Sequence, residues 1–391
     1  MSASSSPRAL QEIVTRRLPR YLAELEALVN IDCGSYTPEG VNRVADAVES
    51  ALRAIGADVE RIPDSGAHED GRLGDVVVGH LAGSGPRLLL IGHMDTVFDP
   101  GTAANRPFRI DGARATGPGV TDMKAGLLAG LHALAALAES GVRRSVTLVA
   151  NPDEEIGSPV STPIIRSLAA DHDIALVLEC ARANGDIVSA RKGVAEFRIE
   201  LRGRAAHAGI EPEKGRSAVL AAAHQAIAID ALNGRWPSVT ANVGVIAGGT
   251  RPNVVADACR LEVDLRAAST GEFDEACAAL DEVAARPVIP GVLTRLQQLA
   301  RHPVMERGPG AERLVRLAQR LAAELGFAVH DAATGGASDA NTTAALGLPT
   351  LDGLGPIGGD DHSDDEWLDL ASIVPRTALL AALIADAGEA L

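Results

Sequence analysis

Three short, continuous apolar runs constrain this chain more than any other feature: RLLLIGHMD at 87–95, SVTLVAN at 145–151 and DIALVLE at 173–179. Each is too short for a helix and is flanked by Gly, Pro or charged residues, so each reads as a strand buried on both faces. Between the first two lies MKAGLLAGLHALAALAES, apolar nearly all round, as a buried crossover helix is. The succession predicts a mostly parallel α/β sheet. Ahead of it, the segment to about Ala54 reads as helical, with Leu22, Leu25, Leu28 and Val29 at helical spacing.

The pattern changes near Ala190. GVAEFRIELRG alternates apolar and polar residues, which suits a sheet with one wet face. A helix (GRSAVLAAAHQAIAIDAL), the strands SVTANVGVIAG and DACRLEVDLRA, the helix TGEFDEACAALDEVAA and the strand VLTRLQQLA follow. These make a small α+β layer. A long helix (AERLVRLAQRLAAELG), a short strand at LPTLD and a closing helix from about Leu370 complete the chain. The expected organisation is an α/β domain, residues 1–189 and 303–391, interrupted by a smaller α+β domain at 190–302.

Composition excludes several functions. Lys+Arg is 36 against Asp+Glu 52, a formal net charge of −16, so no basic surface for nucleic acid or anionic membrane is expected. Only 2% of residues are aromatic, which argues against a site built from stacked rings. Cys33, Cys180, Cys259 and Cys277 form no C-x-x-C pair and read as small buried hydrophobes. The N-terminal segment lacks a signal-peptide core, and no stretch approaches the roughly 20 apolar residues that span a bilayer. A soluble, cytoplasmic protein is the expectation.

The chemistry gathers at strand ends, where open α/β sheets place their ligands. His93 and Asp95, two apart, face the same way at the end of the first strand. Asp122 precedes the buried helix, where an acid also serves as a helix cap. Glu154 and Glu155 follow the second strand; if buried, such a pair needs a cation or a shared proton. Glu179 ends the third strand, and His362 lies in the glycine-rich, acidic turn GPIGGDDHSDDEWLD. Two histidines with several carboxylates suit a borderline metal such as Zn²⁺. Two ions can share such a set, each with one His and one terminal carboxylate, while an Asp bridges them.

The motifs GHMDTVFDPG, GPGVTDMKAG, NPDEEIGS, VLE, GRAAHAG, GGTRPNVVAD, VDLR, TGGASDA and GGDDHSDDE run in this order from about residue 85 to 370. In them the chain resembles the M20 metallopeptidase family, and within it the glutamate carboxypeptidases of the carboxypeptidase G2 type. The resemblance implies a zinc-exopeptidase catalytic domain with an inserted ferredoxin-like lid and dimerisation domain. It implies two Zn²⁺ per chain (Co²⁺ or Mn²⁺ as alternatives), one held by His93 and Glu179, the other by His362 and Glu155, with Asp122 bridging. Asp95 would orient His93, and Glu154 would be the general base. His207 matches a histidine that reaches the scissile carbonyl across a dimer interface. Asn253 and Arg266 match positions lining the substrate's carboxylate end, and Gly335 and Gly336 a loop whose backbone approaches substrate. Where the glutamate-specific members carry a further arginine close to a proline, Arg301 and His302 precede Pro303, and either fits.

The expected activity is hydrolysis of the amide to a C-terminal amino acid, glutamate first, from small-molecule or peptide substrates of folate-like or N-acyl-glutamate type. The rivals are an N-acyl amino acid deacylase, a desuccinylase or a dipeptidase. From a different class comes a non-catalytic binding protein on the same fold.

Overall fold

A computed structural model describes residues 6–64, 66, 71–286 and 288–391. Residues 1–5, at the head of the expected opening helical segment, lie outside the described residues. The chain divides into two compact units: 1–189, 307–333 and 338–391 in one, 190–306 and 334–337 in the other.

The first unit is built on a six-stranded sheet in the order Asp58–Ile62, Val76–Leu81, Arg144–Asn151, Ser84–His93, Ile174–Val177, Thr350–Leu351. The last four strands run parallel to one another, and the first two are antiparallel additions. Those two were not anticipated: DVERI is five residues of mixed polarity and carries no strong period. Leu88–Ile91, Leu148–Ala150 and Ile174–Val177 are buried on both faces, as continuous apolar runs require.

The helix Ala125–Ser140 is buried from Ala125 to Leu137. Glycine permits its approach: a Cβ on Gly126 would lie 1.8 Å from the Leu178 carbonyl oxygen. The opening segment forms two helices, Pro7–Val29 and Pro38–Ala54, rather than one stretch. Contrary to the sequence-based expectation, Val120–Ser140 and Leu370–Ala390 are long and apolar enough to cross a bilayer. Burial of 94% and 72% of their apolar windows makes them core helices of this unit.

A second, small antiparallel sheet matters for the site. It orders Gly358–Gly359, Trp367–Asp369, Arg114–Thr116 and Arg109–Asp111. Trp367 pairs with Thr116 and Gly359 with Trp367, so the turn 360–366 from the far end of the chain is fastened beside the loop 117–122.

In the second unit the strands Gly193–Arg202, Thr240–Gly248, Ala258–Ala267 and Leu293–His302 form one antiparallel sheet in the spatial order fourth, first, third, second. With the helices Ala218–Asp230 and Thr270–Ala285 the succession is βαββαβ, a ferredoxin-like layer. Phe197, Ile199 and Leu201 alternate inward with Leu261, Val263 and Leu265, and share one apolar cluster with residues of both helices. Glu196 and Arg198 point to the other face.

Candidate metal centre

Strand register assembles the first half of the site. His93 is the last residue of its strand and pairs with Asn151, the last of the neighbouring one, so both strands end level. Asp95, Glu154 and Glu155 therefore leave the sheet side by side, and Glu179 leaves from the strand on the other flank. Asp122 comes from the turn before the buried helix, in a short segment where its backbone departs from helical angles (φ −111°, ψ 92°). His362, at a left-handed φ of 62°, comes from the turn held by the small sheet.

These side chains meet in two triads that share one carboxylate. His93 Nε2 lies 3.1 Å from Asp122 Oδ1 and 3.7 Å from Glu179 Oε1. His362 Nε2 lies 3.1 Å from Asp122 Oδ2 and 3.1 Å from Glu155 Oε2. In each triad the donor atoms all lie within 4.8 Å of one another. Asp122 thus offers one oxygen to each group.

Asp95 organises this arrangement. The Nδ1 of His93 is 3.0 Å from the Asp95 carbonyl oxygen and 3.3 Å from its carboxylate, which turns Nε2 toward Asp122. The Asp95 carboxylate also accepts from the Ser35 hydroxyl (2.7 Å) and from the backbone N–H of Glu154 and Glu155 (3.2 Å each). A single buried acid thereby sets a histidine and the turn carrying both glutamates.

The electrostatics call for positive charge. Burial pushes the Glu154 carboxyl well above its ordinary range, and Glu179 pushes it further. Glu155 is raised for the same first reason. Burial would raise Asp122 too, but hydrogen bonds from His362 and His93 outweigh it and hold the carboxyl low. Bonds to Asp122 and Glu155 lift His362 to about 10, and although burial opposes it, Glu179 and Asp122 lift His93 well above its usual value. Crowded carboxylates draw protons onto two imidazoles; dications bound by the same atoms would supply that charge instead. The donor set, His nitrogen and carboxylate oxygen with one shared Asp, fits such a pair.

Sequence reasoning missed the supports. Glu366 is fully buried and accepts the backbone N–H groups of Gly119, Thr121 and Asp122. Asp339 accepts from Asn151 Nδ2 (2.7 Å) and Ser158 Oγ (2.6 Å), and Asp153 caps the following helix at Val160 and Ser161. Acids in GGASDA and GGDDHSDDE were visible, but nothing local says which of them turn inward.

The remaining candidates belong to the second unit. His207 is exposed and its Nδ1 accepts the Gly209 N–H (3.2 Å), which leaves the ring proton on Nε2. Asn253 is its neighbour: Ala208 N–H donates to the Asn253 carbonyl at 3.0 Å. Arg266 grips Asp264 through Nε (2.8 Å) and Nη2 (2.9 Å), while Nη1 donates to the Gly335 carbonyl (2.8 Å). Arg191 Nη1 holds the Gly336 carbonyl at 3.1 Å. A Cβ at Gly335 would meet none of the described residues within 4 Å, so packing among them does not demand glycine there. Arg301 and His302 separate cleanly. Arg301 binds Asp274 and lies over the Phe273 ring on the helix side. His302 pairs with Val194, which pairs with Arg266 on its other side, so His302 and Arg266 share the opposite face.

Paired His–acid triads that share a carboxylate, set at the strand ends of an α/β sheet, are a donor set that could hold metal ions for hydrolytic chemistry. The chain belongs to Peptidase family M20/M25/M40, whose profile matches residues 89–386. It is 32% identical to carboxypeptidase G2 of Pseudomonas sp. (strain RS-16) over 99% of this chain and 94% of that protein. It is 30% identical to a putative succinyl-diaminopimelate desuccinylase of Mycobacterium tuberculosis over 86% and 91%. Among solved structures, aminopeptidase PepT from Bacillus cereus superposes with a TM-score of 0.78 at 25% identity, covering 94% of this chain and 98% of that one. The chain is accordingly an enzyme of a metal-dependent hydrolase family, with a catalytic α/β fold carrying an inserted unit.

Proposed function

We propose that this protein is a two-zinc amidohydrolase that releases a C-terminal amino acid, glutamate first, from an acyl or peptidyl group. The observation that carries the reading is the shared Asp122, with one oxygen toward His93 and the other toward His362. His93 and Glu179 would hold one ion, His362 and Glu155 the other. When bound, the pair supplies Lewis acidity, polarising the scissile carbonyl and lowering the pKa of the attacking water. Glu154, whose backbone is fixed by Asp95, takes the proton from that water and passes it to the leaving nitrogen. His207 offers its Nε2–H to the developing oxyanion of a neighbouring active site. Arg266 and Asn253 receive the substrate's carboxylate end, with the Gly335–Gly336 backbone alongside.

That role for His207 entails a homodimer through the inserted unit. Two features support it. The strand Thr240–Gly248 is an edge of its sheet, with Ile246 53% exposed. On the helix Ala218–Asp230, Leu220 and Ile227 stand two turns apart on one face, 50% and 70% exposed.

A second reading has its own observation. Arg301 is engaged with Asp274, which leaves His302 beside Arg266's face where a glutamate-specific enzyme would want a permanent cation. This favours a deacylase or desuccinylase of another N-acyl amino acid, and two relatives, named as a desuccinylase and an acetylornithine deacetylase, point the same way. Amino-acid release from a panel varying acyl group and amino acid independently, run with metal analysis, separates the two. Preference for glutamate across acyl groups supports the first reading. Preference for one acyl group, whatever the amino acid, supports the second. No hydrolysis by protein loaded with two zinc ions overturns both and favours a binding protein.

A further inference from the structure

We propose that Glu366 is a positioning residue for the metal pair, setting the bridging Asp122 from the far end of the chain; the inference rests on the two-metal reading above. The loop 117–122 runs between a short strand and the buried helix; its Val120 N–H bonds the Gly117 carbonyl within the turn, and Glu366 accepts those of Gly119, Thr121 and Asp122. Its Oε2 takes the Gly119 N–H at 2.8 Å, and its Oε1 takes those of Thr121 and Asp122 at 2.9 and 3.1 Å. The residue is 0% exposed, and Gly119 and Thr121 are buried with it, so their N–H groups have no water to turn to. The Asp122 backbone is therefore anchored on one side, while its two carboxylate oxygens face His93 and His362 on the other.

The geometry requires an acceptor at both side-chain oxygens. Both Glu366 oxygens accept, taking three amides between them; a glutamine would turn its NH₂ toward one of these N–H groups, donor against donor. The placement also couples two loops. Glu366 lies four residues after His362 and directly before Trp367, whose pairing with Thr116 fastens the turn 360–366 beside the loop 117–122. One side chain thus ties the loop carrying His362 to the loop carrying Asp122, and these are two of the three donors of the second site.

The test measures zinc binding by titration calorimetry and elemental analysis, and the visible spectrum of the Co²⁺ form, for wild type, Glu366→Gln and Tyr21→Phe. The Tyr21 hydroxyl is a buried hydrogen bond to the Ala125 carbonyl, so its loss controls for general destabilisation. Glu366→Gln should weaken the second zinc by about 10–100-fold, as loss of an outer partner of a metal ligand does, more than it weakens the first. The Co²⁺ spectrum should change, and kcat should return to within a few-fold of wild type at saturating zinc with KM unaltered. Tyr21→Phe should lower Tm without moving either zinc affinity. Should Glu366→Gln not fold, Glu366→Asp, which keeps the charge but withdraws it by one methylene, carries the same comparison. Unchanged zinc affinities and Co²⁺ spectrum in the Glu366 variant, with two ions in wild type, overturn the inference; so do equal changes in Tyr21→Phe. A wild type that binds a single zinc while active overturns the two-metal reading itself.

Discussion

The two units hold their candidate residues in opposite ways. In the α/β unit, His93 and Asp95 are each 1% exposed, Asp95 sets His93 and the turn carrying Glu154 and Glu155, and only His362, 54% exposed, opens to solvent among the candidate donors. In the inserted unit His207 and Asn253 are exposed, and what fixes them is backbone pairing between their own loops. The first site is preorganised within its own unit, at the cost of crowding carboxylates that bound cations or protons relieve. The second presents groups outward, able to act on whatever is brought to them. Substitutions in the first should therefore cost metal or chemistry outright, and those in the second should cost turnover or selectivity while leaving metal content alone.

The largest expected effect is that of Asp122→Ala. Removing the anion shared by both triads should lose more zinc than removing His93, Glu155, Glu179 or His362 singly, and hydrolysis should fall to background. Elemental analysis after dialysis checks it. Retention of two ions would break the contrast at its root. Next comes Glu154→Gln, which keeps size and spares the metal donors. Both ions should stay bound while kcat falls by about 10²–10⁴, the usual worth of a general base. Near-normal turnover would assign the base elsewhere.

His207→Ala tests the other side of the comparison. Metal content and Tm should be unchanged and kcat lower by about 10²–10³, the usual cost of one oxyanion donor. Mixing this variant with Glu154→Gln after subunit exchange sharpens the point. With sites built across a two-fold interface, each mixed dimer carries one doubly defective and one intact site, and about half the dimers are mixed. Activity should return to roughly a quarter of wild type. No recovery after verified exchange would place His207's action within its own chain.

The contrast between the units also governs what could be read from sequence. The strands ending at His93, Asn151 and Val177 announce themselves because a both-faces-buried strand must be continuously apolar, and the acids just past them stand out against that background. Glu366 does not stand out. It is one of several acids in GGDDHSDDE, and what singles it out is three amides 244 to 247 residues away, a pairing that no local period encodes. The same holds for the small sheet that brings His362 to Asp122, whose strands are two or three residues long. In the inserted unit, alternation gave the strands and the apolar face. The ambiguity between Arg301 and His302 needed the register, because neighbours in a strand differ only in which face they take.

The smallest expected effect follows from that register. Arg301 pairs opposite Ala195, a core residue, and its guanidinium lies 4.7 Å from the Phe273 ring centre while binding Asp274 at 2.6 Å. The ion pair is substantially exposed, 38% on the arginine and 60% on the aspartate, so solvent screens it. Arg301→Ala should cost no more than about 1 kcal/mol of stability. On this face the arginine has no substrate role, so kcat/KM should stay within about twofold for every amino acid in the panel. A guanidinium that bound a substrate carboxylate would behave differently. Its loss forfeits a charged hydrogen bond worth about 1.5–3 kcal/mol, roughly 10–150-fold, and only for substrates with the second carboxylate. His302→Ala is the companion measurement, because His302 shares the face of Arg266. Burial holds that imidazole below its ordinary pKa, so its contribution to binding an acidic side chain should grow as pH falls, with protonation, and vanish as pH rises. The paired result, selectivity altered in His302→Ala and untouched in Arg301→Ala, fixes which face of the inserted sheet reads the substrate. The reverse result would mean that the sheet turns its helix-covered side to the substrate, and the assignment of Arg266 would fall with it.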